Sequence, residues 1–289
     1  MTADTTAPAA GPAFGRSAFL GCGSMNEAVR AGLLAAGTPA GNVGATVRRP
    51  ERAQELRGRY PGLTVLAEQE EPEANSKAAA GASVAVLGDK PAGITALCRS
   101  IAPALGRETV VVSVAAAVTI ATMQAALPEG QPLVRTMPNT PLKVGRGAVG
   151  VSGGPGTTDA QVQAAAAVFA GAGTVVLVPE EQLDAVSAVS GSGPAYAFYL
   201  AEAMAAAGVE LGLDADLSMT LARETVAGAG LMLAQERADP AALRRAVTSP
   251  NGTTERAIAA FDAAGLPGII AAGARAAAAR AAEISRELG

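Results

Sequence analysis

"SAFLGCGSMNEAVRAGLL", Ser17 to Leu34, decides how the rest of the chain is read. A short apolar run ends in the pair Gly21 and Gly23, and a helical pattern opens directly behind it. At such a strand–helix turn Gly21 allows the tight bend, and Gly23 lets the backbone approach a pyrophosphate at the helix N-terminus. The same glycines also read as a tight turn and nothing more. The stretch heads a β–α–β alternation, and that position tips the reading towards binding.

Strands are expected at Ser17–Gly21, Gly44–Val47, Leu63–Leu66, Ser83–Gly88, Thr109–Val114 and Pro132–Met137, with helical stretches between them. Continuous apolar strands separated by helices imply a parallel sheet covered on both faces. Gly147–Val151 and Thr174–Val178 extend it. Beyond Glu180 the strand signal stops, and the chain turns to helical stretches broken at "GSGPAY", "GVELGLDAD", "ERADP" and "TSPNGTT". The expected fold is therefore α/β. A Rossmann-type, doubly wound, mostly parallel sheet (16–179) is followed by an all-α domain (180–289), and residues 1–15 form a disordered leader without the marks of a signal peptide.

Composition narrows the chemistry. The chain has 289 residues and no histidine, so a His base, a His metal ligand and a Ser-His-Asp triad are all excluded. Its only lysines are Lys77, Lys90 and Lys143. A net charge of −4, with no basic run, argues against a nucleic-acid surface. Cys22 and Cys98 are too few for a disulfide framework and form no metal-type pairing, so a reduced, cytoplasmic protein without a metal is expected. Charged residues, among them Glu202, Arg223, Glu224, Arg275 and Arg280, interrupt the later helices, so no membrane span is expected. Aromatics are only 3% of the chain, and its alanine-rich helices bury little area per contact, which favours an oligomer.

The remaining motifs stand at expected strand ends. Arg48 and Arg49 occupy the position where an NAD-preferring fold carries an acid for the ribose hydroxyls. Arginines there can pair with a 2′-phosphate and favour NADP; the plainer reading is a solvated basic turn. "GDKP" (Gly88–Pro91), "VAAAV" (Val114–Val118) and "RTMPNTP" (Arg135–Pro141) come after three further strands, at the edge where a ligand lies in such a sheet. The rigid loop of Pro138 and Asn139 is placed beside the nicotinamide, although each of the three also reads as an ordinary βα turn. Cys22 reads as a small filler, with nothing nearby to activate it. In "AVTSPNGTTERAI" (Ala246–Ile258) a bend at Pro250, Asn251 and Gly252 precedes Thr253 and Thr254 at a helix start. Free N–H groups and hydroxyls there suit a carboxylate, and a self-serving N-cap is the alternative.

In their order, "FLGCGSM", "DKP", "VSVAAAVTI", "RTMPNTP", "SGSGPAYAFYLAEAM", "GVELGL" and "VTSPNGTT" resemble the pyrroline-5-carboxylate reductases, from about Ser17 to nearly the end of the chain. The resemblance implies NAD(P)H-dependent reduction of the imine of 1-pyrroline-5-carboxylate to L-proline, the last step of proline biosynthesis, with NADP preferred and NAD as the other candidate. It implies cofactor phosphates over Leu20, Gly21, Cys22, Gly23, Ser24 and Met25. Arg49, Pro50 and Asn75 would lie around the adenine ribose, beside Arg48. Gly88, Asp89, Lys90 and Pro91, with Val114, Ala115 and Ala116, would line the rest of the cleft. Substrate would be gripped by the loop of Val247, Ser249, Pro250, Asn251, Gly252, Thr253 and Thr254, with the Thr254 hydroxyl near the ring nitrogen as the catalytic candidate. In the family the helical domains of two subunits interlock, and dimers often assemble into decamers.

Four positions depart from the family pattern: Asn26 for a small residue, Asp89 for Val, Ala117 for Gly and Asn251 for Gly. Asn26 is expected to crowd the first helix against the sheet, and Asp89 to bring negative charge near the phosphates unless it turns outward. Two other readings stand beside the reductase: a non-catalytic nucleotide-binding regulatory homologue, and a β-hydroxyacid dehydrogenase. The latter needs a lysine base in its second domain, and no lysine occurs after Lys143.

Overall fold

The computed structural model describes residues 15–288, so all of the expected leader except Gly15 lies outside the described residues. β1 (Ser17–Leu20) is buried along its whole length, as a central strand covered on both faces must be. Around it stand β2 (Val43–Val47), β3 (Thr64–Ala67), β4 (Val84–Leu87), β5 (Val110–Ser113), β6 (Leu133–Met137), β7 (Gly147–Gly153) and β8 (Gly173–Leu177). The sheet order is β3-β2-β1-β4-β5-β6-β7-β8. Every neighbouring pair is parallel except β6–β7, where Arg135 faces Ser152 across an antiparallel ladder. The carboxyl ends of β1 to β6 therefore share one edge, with the order reversing between β1 and β4, the switch point where such sheets bind ligands.

The helices of the sheet region are α1 (Ser24–Ala35), α2 (Pro50–Arg59), α3 (Ala74–Ala79), α4 (Pro91–Ile101), α5 (Ile120–Gln124), α6 (Asp159–Ala167) and the short α7 (Leu183–Val186). Two apolar layers hold them: one holds Phe19, Val29, Leu33, Leu56, Val86 and Phe169, the other Leu20, Leu87, Ile94, Ile101, Met123 and Leu133. Gly32 lets α1 sit against Ala172, whose Cβ would lie 2.5 Å from any Cβ added there. Fully burying each such Leu, Ile or Phe is worth roughly 1.5–3 kcal/mol, so the strand cores need few aromatics.

Helical structure continues through α8 (Gly193–Glu210), α9 (Ala215–Leu233), α10 (Pro240–Ala246), α11 (Thr253–Ala263) and α12 (Leu266–Leu288). The chain forms two compact units, one reaching Gly191 and including the residues from Ala277 onward, the other Ser192–Ala276. The first unit thus extends past the expected limit at residue 179. The reason is that Glu180–Gly191 remain bound to the sheet: Leu183 is buried, Leu183 and Val186 crowd Gly150, and Glu180 pairs with Arg135 of β6. The end of α12 belongs there too, with Leu288 against the Leu20–Leu133 layer.

The helices of the second unit leave large apolar side chains in water, including Tyr199 at 72%, Leu211 at 85% and Leu231 at 62% exposure. Large contiguous apolar exposure of this kind marks an interaction surface. No single helix among the described residues is long and apolar enough to cross a membrane.

Candidate functional site

The turn after β1 is built around Thr46, a fully buried residue of β2. Its hydroxyl accepts from the Gly21 N–H (2.8 Å) and donates to the Asn75 carboxamide oxygen (2.6 Å), while its carbonyl accepts from the Cys22 N–H (2.7 Å). One side chain therefore sets both the turn and the orientation of Asn75, leaving the Asn75 amide N–H groups for a ligand. Gly21 has φ +67°, a left-handed backbone that explains the glycine.

Gly23 needs a different explanation. Its φ is −76°, and a Cβ added there would meet nothing of the protein within 4 Å. The space above it is open, so a ligand can approach the backbone there. Gly23 is also the N-cap of α1 with no side-chain cap, so the first-turn N–H groups stay free for an anion. α2 and α4, opening at Arg49 and Lys90, are likewise uncapped by side chains. Helices α5, α6, α9 and α10 are instead capped by Thr119, Thr158, Asp214 and Asp239.

These termini surround a cleft of about 780 Å³ at the carboxyl edge of β1, β2 and β4, within the roughly 300–1,000 Å³ range of ligand pockets. Among the expected cofactor residues it brings together Gly21, Cys22, Gly23, Arg48, Arg49, Asn75, Gly88, Asp89 and Lys90. Leu20 lies buried behind the turn, with its carbonyl accepting from the Gly88 N–H (2.8 Å). Ser24 and Met25 form the first turn of α1, and Pro50 and Pro91 begin α2 and α4. Val114, Ala115 and Ala116 come after β5 at the same edge without lining the cleft.

The cleft also takes in Arg52, Glu68, Gln69 and Leu97, which sequence reasoning missed. Glu68 and Gln69 lie directly after β3 and continue its ladder, their N–H groups donating to the Val47 and Arg48 carbonyls. Extending the strand-end rule to this third strand would have found them.

Pro138 and Asn139 stand outside the lining of this cleft. Both are buried, and the Asn139 carboxamide accepts from the Ala148 N–H (2.9 Å) and donates to the Ser190 carbonyl (3.0 Å). The side chain is a bracket from the end of β6 to β7 and to the π-helical turn Ser187–Gly191.

Of the departures, Asn26 keeps one cost, a buried Oδ1 with no hydrogen-bond partner. Asn26 is fully buried without crowding, because it lies over Gly88, where a Cβ would come within 2.1 Å of its Nδ2. Its amide donates to the Leu20 carbonyl (3.1 Å) and more weakly to that of Val86 (3.4 Å), linking the β1 and β4 ends. Asp89 is exposed and folds back on its own chain, its carboxylate over Gly93 and accepting from the Lys90 N–H (2.8 Å). Ala117 takes φ +61° and Asn251 φ +58°, which explains why glycine suits both places. Burial pushes the Cys22 thiol up in pKa, against the opposing pull of Arg30, and pushes Cys98 up to about 11. Neither is poised as a nucleophile.

The segment Val247–Thr254 runs into the first turn of α11, whose N-cap is Gly252, again without a side-chain cap. The Asn251 N–H donates to Glu255 (2.9 Å) and the Gly252 N–H to the Ser249 carbonyl (3.0 Å), so the loop is closed on itself. Thr253 and Thr254 supply first-turn N–H groups and hydroxyls at the head of the helix. Among the described residues no cluster of three or more acidic or thiol side chains could hold a metal.

Fold and cleft together define a dinucleotide-binding α/β oxidoreductase followed by a helical region. Residues 180–284 match the family model described as pyrroline-5-carboxylate reductase dimerisation, and residues 16–117 match that of NADP oxidoreductase, coenzyme F420-dependent. The pyrroline-5-carboxylate reductase of Pseudomonas aeruginosa is 40% identical over 275 residues, spanning 95% of this chain and 98% of that protein. The chain belongs to the pyrroline-5-carboxylate reductase family. The structure of a Coxiella burnetii pyrroline-5-carboxylate reductase superposes with a TM-score of 0.87 at 31% identity, covering 94% of this chain and 99% of that one. A Plasmodium falciparum pyrroline carboxylate reductase with NADP bound, 21% identical, shares the fold at a TM-score of 0.78, over 93% and 98% of the two chains.

Proposed function

We propose that this chain reduces the cyclic imine of 1-pyrroline-5-carboxylate to L-proline with NADPH. The observation that carries the reading is the cleft that joins Gly23, at the head of an uncapped helix, to Arg48 and Arg49, in a chain of this family. NADPH, when bound, supplies the hydride. The α1 amides and Gly23 would hold its pyrophosphate, Arg48 and Arg49 a 2′-phosphate, and Asn75 the adenine ribose. The absence of an acid at the end of β2 supports NADP over NAD.

The substrate's imine can be protonated before it binds, so the protein's task is to position carbon against hydride, and little acid–base machinery is needed. A chain without histidine fits that task. The free amides and hydroxyls of Thr253 and Thr254 would take the carboxylate, with Asn251 shaping the bend. The Thr254 hydroxyl would hydrogen-bond at the ring nitrogen. The regulatory and β-hydroxyacid dehydrogenase readings are not favoured by full-length relatives that carry the reductase name.

The exposed apolar side chains of Ser192–Ala276, in a region matching a dimerisation model, support a homo-oligomer formed through the helical domain. Further assembly into decamers, and a cytoplasmic setting, belong to the same reading. NADPH consumption coupled one-to-one to proline formation tests the reaction, with NADH in parallel. A folded, oligomeric protein that oxidises neither cofactor in the presence of the imine would refute it.

A further inference from the structure

Arg30 is a fully buried arginine whose guanidinium is paired with no carboxylate or other oxygen. A guanidinium keeps its charge when buried, and an unpaired one is a heavy cost to the fold. Its compensations here are the Tyr60 ring, 4.2 Å from the guanidinium carbon, and the Cys22 side chain, and both are worth little beside a salt bridge. The obvious carboxylate, Glu27 on the same face of α1, is already taken by Arg52 and Arg59, and Arg52 and Arg59 also share Glu55. Three arginines thus face two carboxylates, and the uncancelled charge is the buried one.

The position of that charge gives it a use. Helical side chains lean towards the helix N-terminus, and Arg30 reaches back to act on Cys22, the middle residue of the Gly21–Gly23 turn. Cys22 lines the cleft, as do Gly21, Gly23 and Arg52. We propose that Arg30 is a positioning residue for cofactor affinity, a fixed positive charge beneath the turn that strengthens its hold on the phosphate groups of the dinucleotide without touching them. The field acts through an interior of low dielectric, where a charge is felt farther than in water. The inference rests on the cofactor reading, and explains why a chain would keep an arginine that destabilises its empty form.

The test compares the full chain with Arg30→Met and Arg30→Gln, both uncharged. Equilibrium binding of NADPH, followed by its fluorescence, is expected to weaken roughly tenfold in both, equivalent to about 1.4 kcal/mol. KM for NADPH should rise in step, while kcat and KM for pyrroline-5-carboxylate stay within about twofold. The Tm of the cofactor-free Arg30→Met protein should equal or exceed that of the wild type, because a buried unpaired charge is gone. NADPH affinity unchanged in the variants overturns the proposal, as does a lower Tm with kcat falling alongside, which marks a packing role. If Arg30→Met does not fold, Arg30→Gln decides on the same criteria. Wild-type protein that fails to bind NADPH refutes the cofactor reading itself, and is seen before any variant is made.

Discussion

Gly21 and Gly23 stand one residue apart, yet the structure assigns them different jobs, and alanine separates the two. At Gly23 the backbone is extended, with φ −76° and ψ −170°, so alanine is conformationally allowed, and its methyl would meet no protein atom within 4 Å. The cost to the empty protein is confined to the N-cap position of α1, where alanine is worse than glycine by about 1 kcal/mol or less. At roughly 2–4 °C per kcal/mol for a domain of this size, Tm should fall by no more than a few degrees. The methyl would instead occupy the space a pyrophosphate needs, and KM for NADPH should rise at least about tenfold, a loss of about 1.4 kcal/mol. Gly21→Ala fails differently. It forces alanine into a left-handed backbone at φ +67°, with its methyl 3.4 Å from the Asp89 nitrogen, costing about 1–2 kcal/mol before any ligand arrives. Thermal unfolding and initial-rate kinetics on both variants check this. A Gly23→Ala protein with unchanged KM for NADPH, or one destabilised as much as Gly21→Ala, would refute the claim that Gly23 is there for a ligand.

Three other outcomes are expected. Thr46→Val keeps the shape of the side chain but removes the acceptor for Gly21 and the donor to Asn75; about 1–3 kcal/mol of stability should go, with a raised KM for NADPH, whereas Thr46→Ser stays near wild type in chemical denaturation and kinetics. Ala117→Gly should raise Tm by a few degrees, because Ala117 holds φ +61° and relief of a left-handed alanine is worth on the order of 1 kcal/mol. Thr254→Ala should cut kcat/KM for pyrroline-5-carboxylate by at least about tenfold, the scale of a lost charge-assisted hydrogen bond, with the helical far-UV signal unchanged; unaltered kcat and KM would remove Thr254 from the site.

Much of the sheet was legible because a parallel strand buried on both faces writes itself as a continuous apolar run, and SAFL, VAVL and VVVS are such runs. The strand ends then located most of the cleft. The limit of the first unit was less legible, since Glu180–Gly191 look like the helical stretches beyond them. They are bound to the sheet by an ion pair across the fold, from Arg135 to Glu180 (3.0 Å) and Asp184 (3.5 Å). A pairing between residues that far apart leaves no local pattern.

The two asparagines show where strand-end reasoning meets its limit. That rule says which residues lie at the ligand edge, but not which way a side chain turns once it is there. Asn139 sits at the right edge and spends its carboxamide on Ala148 and Ser190. Asn26, expected to crowd, instead reaches the carbonyl of Leu20 and, more weakly, that of Val86, over a glycine in the next strand's turn. Each outcome depends on a partner distant in sequence, Ser190 in one case and Gly88 in the other. Arg30 belongs with them. On a helical wheel it is one more polar residue for the solvent face, and only the fold shows that it is buried, with Glu27 claimed by Arg52 and Arg59. The sequence therefore marks the strand ends that line the cleft, while the way each side chain turns there is set by contacts that exist only once the chain has folded.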